Sequence, residues 1–455
     1  MNARRLAPLL IAGAAFALAL ATPPGDPDTY WHLASGKWMV EHGQLLRTDV
    51  FSSTVAGREY SVGEWLGEIV LYLTYLAGGW TGLVVLRGVL VGVCAFFVTR
   101  LSLRDDAPLA FALPVAVVAL LLSEIVWTDR PHLFTLAFFP LLLELLLAAR
   151  AGRIRLLVWV PPLILLWVNL HGGYALGLAL VGIFTVDAVL RRDPLPFAIT
   201  FVTAFAASLV DPGSLGLGAA ASHATAPPRF IVEETPPDVT RPAGFVFAAF
   251  IIATLVLALR SGGTTLDILL LAPLLWLGMS AQRQMPYFAF AAVPYLANAM
   301  ARAWPAITVR LRGRRPYPRG AVLGFAVGVA AMAITSLALV PSAPNERAYP
   351  VAALSSVRSG GGVLLNEYDW GGYLIWSAPE RPVFIDGRLF PFLPEVLADW
   401  REVVELGPAW RDVLDRHKVA QVLLMPRRPL VSALRAQGWR VVAEDERAVL
   451  LERPH

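Results

Sequence analysis

The sequence predicts a polytopic α-helical membrane protein with about eleven transmembrane helices and a small C-terminal α/β domain. The 455 residues are 56% hydrophobic and 16% charged, with a mean hydropathy of +0.59, which leaves too little polar surface to cover a water-soluble globule of this length. The apolar residues fall in continuous runs between short polar loops, with the length of helices that cross about 30 Å of hydrocarbon. Beyond residue 341 these runs give way to short apolar segments broken by glycines and charges. The runs lack the alternation that a transmembrane β-barrel requires.

Taken in order, the crossings are predicted at 6–22, 80–99, 107–127, 132–148, 156–170, 174–190, 195–210, 244–259, 265–281, 285–301 and 320–340. The further apolar stretch 62–77 carries Glu64 and Glu68, so it reads as a helix at the interface or dipping into the protein. With the N-terminus inside, the inner loops hold about sixteen Lys and Arg and the outer loops about seven, as the positive-inside rule demands. The predicted domains are then 1–341, a transmembrane domain that includes the outer loop 23–79, and 342–455, an extracytoplasmic α/β domain. The opening "MNARRLAPLL" and the "ALA" at 19–21 also fit a signal peptide, and either reading leaves residue 23 onward on the outer face. The net charge of +4 and the pI near 9.3 reflect the inner-loop arginines and argue against a nucleic-acid partner. Cys94, the lone cysteine, excludes an intramolecular disulfide.

The unusual polar residues collect on one side. Asp26, Asp28, His32, Glu64, Glu68, Arg130, His132, Asn169, His171, Asp211, Glu233, Glu234 and Arg283 all fall on the outer face or at outer helix ends. An ionisable group at the bilayer centre costs about 2.5 to 3.5 kcal/mol, so this distribution points to an outer-surface site and away from an ion pathway. In "GDPD" the carboxylates of Asp26 and Asp28 flank a conformationally restricting Pro27; they suit a hard divalent cation such as Mg or Mn, or a general base, and equally a plain turn after a helix. Glu64 and Glu68 are spaced i, i+4 and share one helical face. Arg130 and His132 in "TDRPHLF" and Arg283 in "AQRQMPYF" sit at outer helix ends, placed either to snorkel or to hold an anionic headgroup such as a phosphate. Asn169 and His171 in "WVNLHGGY" read as an interfacial polar cluster or a substrate contact. The Pro- and Gly-rich loop 211–243, with Glu233 and Glu234 as its acidic centre, reads as a mobile lid or an acceptor-side loop.

In the tail, "GGGVLLNEYDWGGYLIW" and "RPVFIDGRLF" read as short strands between Gly-rich turns. Residues 394–417 read as helical, "VAQVLLMP" as a buried strand, "PLVSALRAQG" as a helix and "WRVVAEDERAVLLER" as a hairpin. The "GGG" at 360–362 lacks the Lys-Ser/Thr of a phosphate-binding loop.

"GDPDTYWHL" directly after the first crossing resembles the acidic first-loop signature of the GT-C glycosyltransferase superfamily. "NEYDWGGYLIW", followed by "RPVFIDGRL" and "DVLDRHKVAQVLL", is similar in order and spacing to the region around the WWDYG motif of the oligosaccharyltransferase catalytic subunit. The resemblance implies a GT-C-like enzyme of the bacterial plasma membrane that takes a sugar from a polyprenyl-phosphate or polyprenyl-diphosphate carrier on the outer face. It implies Asp28, Asp26 and Glu64 as catalytic residues, Asp26 and Asp28 as ligands of any divalent metal, and Arg283, Arg130 and His132 as donor-phosphate contacts. His32, Glu68, Asn169, His171, Glu233, Glu234, Tyr368, Asp369 and Trp370 would line the acceptor or substrate region, the acceptor being a glycan, lipid or protein. "YDWGG" departs from WWDYG, so specificity for a protein sequon does not carry over. Two non-catalytic readings stand beside this one: a carrier-binding protein or transporter for the same lipid-linked sugar, and an envelope scaffold.

Overall fold

The structure is a computed structural model and describes residues 3–59, 63–212, 232–312 and 318–454. Each apolar run read from the sequence coincides with helix. Ala3–Ala21, Trp65–Ser102, His132–Arg150, Pro242–Ser261 and Gly320–Ala338 are long and apolar enough to cross a membrane, and Leu109–Leu121, Ile154–Leu170, Tyr174–Leu190, Leu195–Ser208 and Thr265–Ser280 are shorter apolar helices. Large apolar side chains turn outward along them, Leu259 at 89% exposure and Trp276 at 74%, as expected where lipid and not water is the solvent. The predicted interfacial stretch 62–77 is helical from Trp65 and set off from the crossing that follows it: the run Trp65–Ser102 is two helices that meet at a kink at Gly79, whose φ of 58° and ψ of −148° are non-helical and lie outside what a side-chain-bearing residue adopts readily.

The chain forms two compact units: Met1–Thr22 with Val84–Val340, and Pro23–Leu83 with Pro341–His455. Within the first, Met285–Ala303 is a central helix, buried along most of its length and packed on Leu109–Leu121, Pro242–Ser261 and Thr265–Ser280. Ala3–Ala21 lies against Arg319–Ala338. A Cβ on Gly13 would come within 2.8 Å of Val329, so a glycine there lets the two backbones approach. Arginines at the ends of these helices are neutralised in place. Arg100 and Arg104 reach Glu144 at 2.9 and 3.2 Å, and Arg150 and Arg191 reach Asp187 at 2.9 and 2.8 Å.

The second unit is built on a four-stranded sheet in the order β1 (Val363–Asn366), β2 (Val419–Leu424), β4 (Val449–Glu452), β3 (Arg440–Glu444). β1 and β2 are parallel and are joined by the helical crossover that parallel strands need, while β2/β4 and β3/β4 are antiparallel. The strand 363–366, the helix Pro429–Ala436 and the terminal hairpin follow the sequence reading. Two segments differ from it. Gly371–Ser377 is a helix, because its five leading residues are buried on every side and a short run buried all round carries no period to separate helix from strand. "RPVFIDGRLF" pairs as strand only through Val383, which bridges Ser52 and Leu364. Residues 394–417 form two helices, Glu395–Val404 and Trp410–Arg416. The core of this unit joins Tyr30, Trp31 and Ala34 of helix Pro27–His42 to Tyr349, Trp370, Tyr373, Leu374, Leu423 and Leu450.

Candidate functional site

"GDPD" is a helix start. The Asp26 carboxylate accepts the Asp28 N–H at 3.0 Å and caps Pro27–His42, and Pro27 occupies the first helical position, where its missing N–H costs nothing. The two acids are thereby given different duties. Asp26 spends one oxygen on the cap, while Asp28, in the first turn, accepts the Trp31 indole N–H at 3.0 Å. Tyr349 lies beside them and donates its hydroxyl to the Gly25 carbonyl. Burial first, then the carboxylates of Asp26, Asp28 and Asp369, hold the Tyr349 phenol protonated well above its ordinary range. One phenol therefore senses both acids of the first loop and the acid of the tail motif.

Asp369 is exposed on one side, whereas its neighbours Tyr368 and Trp370 are buried. The Trp370 indole donates to the Ala348 carbonyl at 3.2 Å, and the Tyr368 hydroxyl faces the Gly387 carbonyl at 3.4 Å. Partial burial, then Glu367, raise the Asp369 carboxyl; Arg428 opposes them and Asp26 adds to them. Glu367 itself is held by a bidentate Arg428 fork at 2.7 and 2.6 Å. One turn after Asp28 in helix Pro27–His42, His32 lies between two predicted carboxylates, with Nδ1 3.1 Å from Glu68 and Nε2 4.0 Å from Glu64.

The predicted phosphate contacts gather in the other unit. Arg130 holds Glu233 through both guanidinium nitrogens at 3.1 and 2.8 Å, and Arg283 holds Glu234 at 2.6 Å. Burial raises the Glu233 carboxyl, but Arg130, with His132 and Arg283 behind it, outweighs that and keeps it below the usual range. For Glu234 burial prevails over Arg283 and the carboxyl is raised. Residues 213–231 of the predicted lid lie outside the described residues. Asn169 and His171 are engaged in helix packing. Asn169 donates to the carbonyls of Leu165 and Val210 at 2.8 and 3.0 Å, and His171 Nδ1 meets the Thr135 hydroxyl at 2.7 Å and accepts the Gly173 N–H at 2.9 Å.

Among the described residues no three His, Cys, Asp or Glu side chains are grouped as a metal site. Asp26 and Asp28 therefore supply at most two carboxylates to a Mg or Mn ion, each with one oxygen already accepting a hydrogen bond.

Sequence reasoning passed over two buried charge clusters. Arg87 and Asp129, both 1% exposed, pair at 2.9 Å, and Arg87 also donates to the carbonyls of Ala19 and Thr22. The signal was present in an arginine lying inside an apolar helix. Asp49, Asp386 and Arg388 form a second cluster in the C-terminal unit, and "FIDGR" hid it inside a segment read as a strand.

No protein-family model matches the chain, and no curated protein matches its sequence. Among solved structures the chain is similar to the oligosaccharyltransferase of Archaeoglobus fulgidus in its apo form, with a TM-score of 0.55 and 12% identity over 91% of this chain and 69% of that one. The same archaeal enzyme, AglB, in complex with an inhibitory peptide and a dolichol-phosphate, matches with a TM-score of 0.55 and 12% identity over 91% and 68%. ArnT from Cupriavidus metallidurans bound to undecaprenyl phosphate shows 15% identity and a TM-score of 0.49 over 99% of both chains. At these identities the likeness is one of fold: the chain shares the fold of the archaeal oligosaccharyltransferase.

Proposed function

We propose that the chain is a membrane glycosyltransferase that moves a sugar from a polyprenyl-phosphate or polyprenyl-diphosphate carrier to an envelope acceptor, a glycan, lipid or protein, on the outer face of a bacterial plasma membrane. The observation that carries this reading is the acid pair at the helix start after the first crossing, Asp26 capping Pro27–His42 and Asp28 held on the Trp31 indole, in a chain that shares the fold of the archaeal oligosaccharyltransferase. In this reading the N-terminus is cytoplasmic and residues 342–455 are extracytoplasmic, in accord with the basic inner loops.

The chemistry is a single displacement. Asp28 takes the proton of an acceptor hydroxyl or amide as that group attacks the anomeric carbon, the bond from that carbon to the phosphate oxygen breaks, and the carrier leaves with the electron pair as its phosphate or diphosphate. The anomeric configuration inverts. Asp28 suits the base role better than Asp26, because Asp26 is committed to the helix cap. Arg283 and Arg130, paired with Glu234 and Glu233 in the unit that holds them, are the guanidiniums this reading assigns to the donor phosphate. A divalent metal, where used, would take two carboxylates from Asp26 and Asp28 and complete its shell from the donor phosphate and water.

The test is transfer of labelled sugar from polyprenyl-phosphate donors in membranes. Asp28→Asn is expected to lower transfer by about 10²- to 10⁴-fold with donor binding retained. Arg283→Ala is expected to lower it by about 10²- to 10³-fold. Full transfer by Asp28→Asn, together with lost donor binding by Arg283→Ala, would favour the carrier-binding protein over the enzyme.

A further inference from the structure

The Asp386-Gly387-Arg388 turn is over-determined for a loop. Arg388 is fully buried, forks onto Asp386 at 2.8 and 2.6 Å, and reaches Asp49 at 2.6 Å, whose other oxygen accepts from the Ser52 N–H and hydroxyl at 3.0 and 2.5 Å. Phe51 and Phe392 lie 5.1 and 5.7 Å from the guanidinium. Asn366 of β1 clamps the approach to the turn, accepting the Phe384 N–H and donating to the Ile385 carbonyl, both at 2.8 Å. Leu389, directly after it, is held at φ 56°, a region bulky residues avoid.

The object of this rigidity is visible at Gly387. Its φ is not in the left-handed region, so the backbone does not call for a glycine. What calls for one is Asp28: a Cβ on Gly387 would stand 2.0 Å from the Asp28 carboxylate oxygen that accepts the Trp31 indole, and 3.1 Å from the Trp31 nitrogen itself. Gly372 behaves alike, since its Cβ would lie 2.4 Å from the Pro27 carbonyl.

We propose that the Asp386-Gly387-Arg388 turn is a positioning element for the Asp28 carboxylate. The buried Arg388–Asp386–Asp49 cluster fixes the turn, bare Gly387 forms one wall against the carboxylate, and the Trp31 indole forms the other. Asp28 thereby keeps one rotamer, and its second oxygen keeps one direction. A base held this way needs no reorganisation when an acceptor arrives, and a displacement of about 1 Å costs about 10²-fold in rate. The catalytic consequence rests on the reading of Asp28 as base; the positioning does not.

The discriminating substitution is Gly387→Ala. The added methyl meets side-chain atoms and no backbone, the Asp28 carboxylate at 2.0 Å and the Trp31 Nε1 at 3.1 Å, so the fold survives and the carboxylate, the nearer of the two, must swing aside. In the purified full-length protein, Gly387→Ala is expected to lower kcat about 10- to 100-fold with the donor KM unchanged, and to have no further effect in an Asp28→Asn background. A second readout needs no turnover. The Trp31 emission, isolated as the difference from Trp31→Phe, reports the carboxylate held against its indole N–H; Gly387→Ala is expected to shift that emission at constant pH, and to leave it unshifted in an Asp28→Ala background. Wild-type kcat and an unmoved Trp31 emission in Gly387→Ala would overturn the proposal, as would a loss of kcat that adds to that of Asp28→Asn. An unimpaired Asp28→Asn beside a shifted Trp31 emission in Gly387→Ala would leave the positioning standing and remove the base.

Discussion

Asp369 carries a carboxyl that the fold would hold more easily as the neutral acid. Its partial burial and the nearby Glu367 and Asp26 raise its pKa against the pull of Arg428, so the folded state binds the proton more tightly than the unfolded state does. The resulting penalty is absent below the unfolded value of about 3.9, grows as pH rises to the raised folded value, and is complete at neutral pH. Asp369→Asn is therefore expected to raise the thermal midpoint at pH 7, by less than about 1 kcal/mol because one side of the residue meets water, and to give no gain near pH 3.5. Melting the two proteins across that range checks it; a gain that persisted at low pH would assign it to packing. At this scale the sequence picks out the acids of the first loop but not their separate local bonds. "DPD" names Asp26 and Asp28 equally, and only the helix that starts between them, with Trp31 one turn on, tells the cap from the indole's acceptor.

Arg87 and Asp129 join elements. One guanidinium ties the C-terminal carbonyls of Ala3–Ala21 to the residue directly before Arg130, so the end of the first helix and the base of the Arg130 loop share an anchor. Breaking a buried pair by removing one partner strands the other charge, at a cost of about 3 to 5 kcal/mol. Arg87→Met is expected to lose that much in detergent unfolding, and the double variant with Asp129→Leu to recover most of it; a single variant as stable as the parent would show the pair to be idle. Helix existence was legible, because long apolar runs leave few alternatives. Gly371–Ser377 was not, since "GGYLIW" is too short and too evenly buried to reveal a period, and its two glycines are set by contacts with Ile385 and Pro27 that lie far away in the chain.

At the scale of the molecule, the least legible fact is that Pro23–Leu83 belongs with Pro341–His455. No local pattern announces it, because the partners that complete the Tyr30 and Trp31 core, such as Tyr373 and Leu374, follow more than 250 residues after Leu83. Residues 342–455 produced alone are expected to expose that aromatic face, to bind a hydrophobic dye and to unfold without a cooperative transition. Co-production with 23–83 should restore cooperativity. A cooperative, dye-free 342–455 would show that the sheet stands without helix Pro27–His42.

The same discontinuity has a clock in it. At about 5 to 20 residues per second, the ribosome needs roughly ten to fifty seconds between releasing Leu83 and releasing Pro341. Throughout that interval the aromatic face of Pro27–His42 has been made and its covering has not. Every copy of this protein thus begins life with a sticky, acid-bearing arm, and its yield in a cell depends on what shields that arm until the last quarter of the chain arrives.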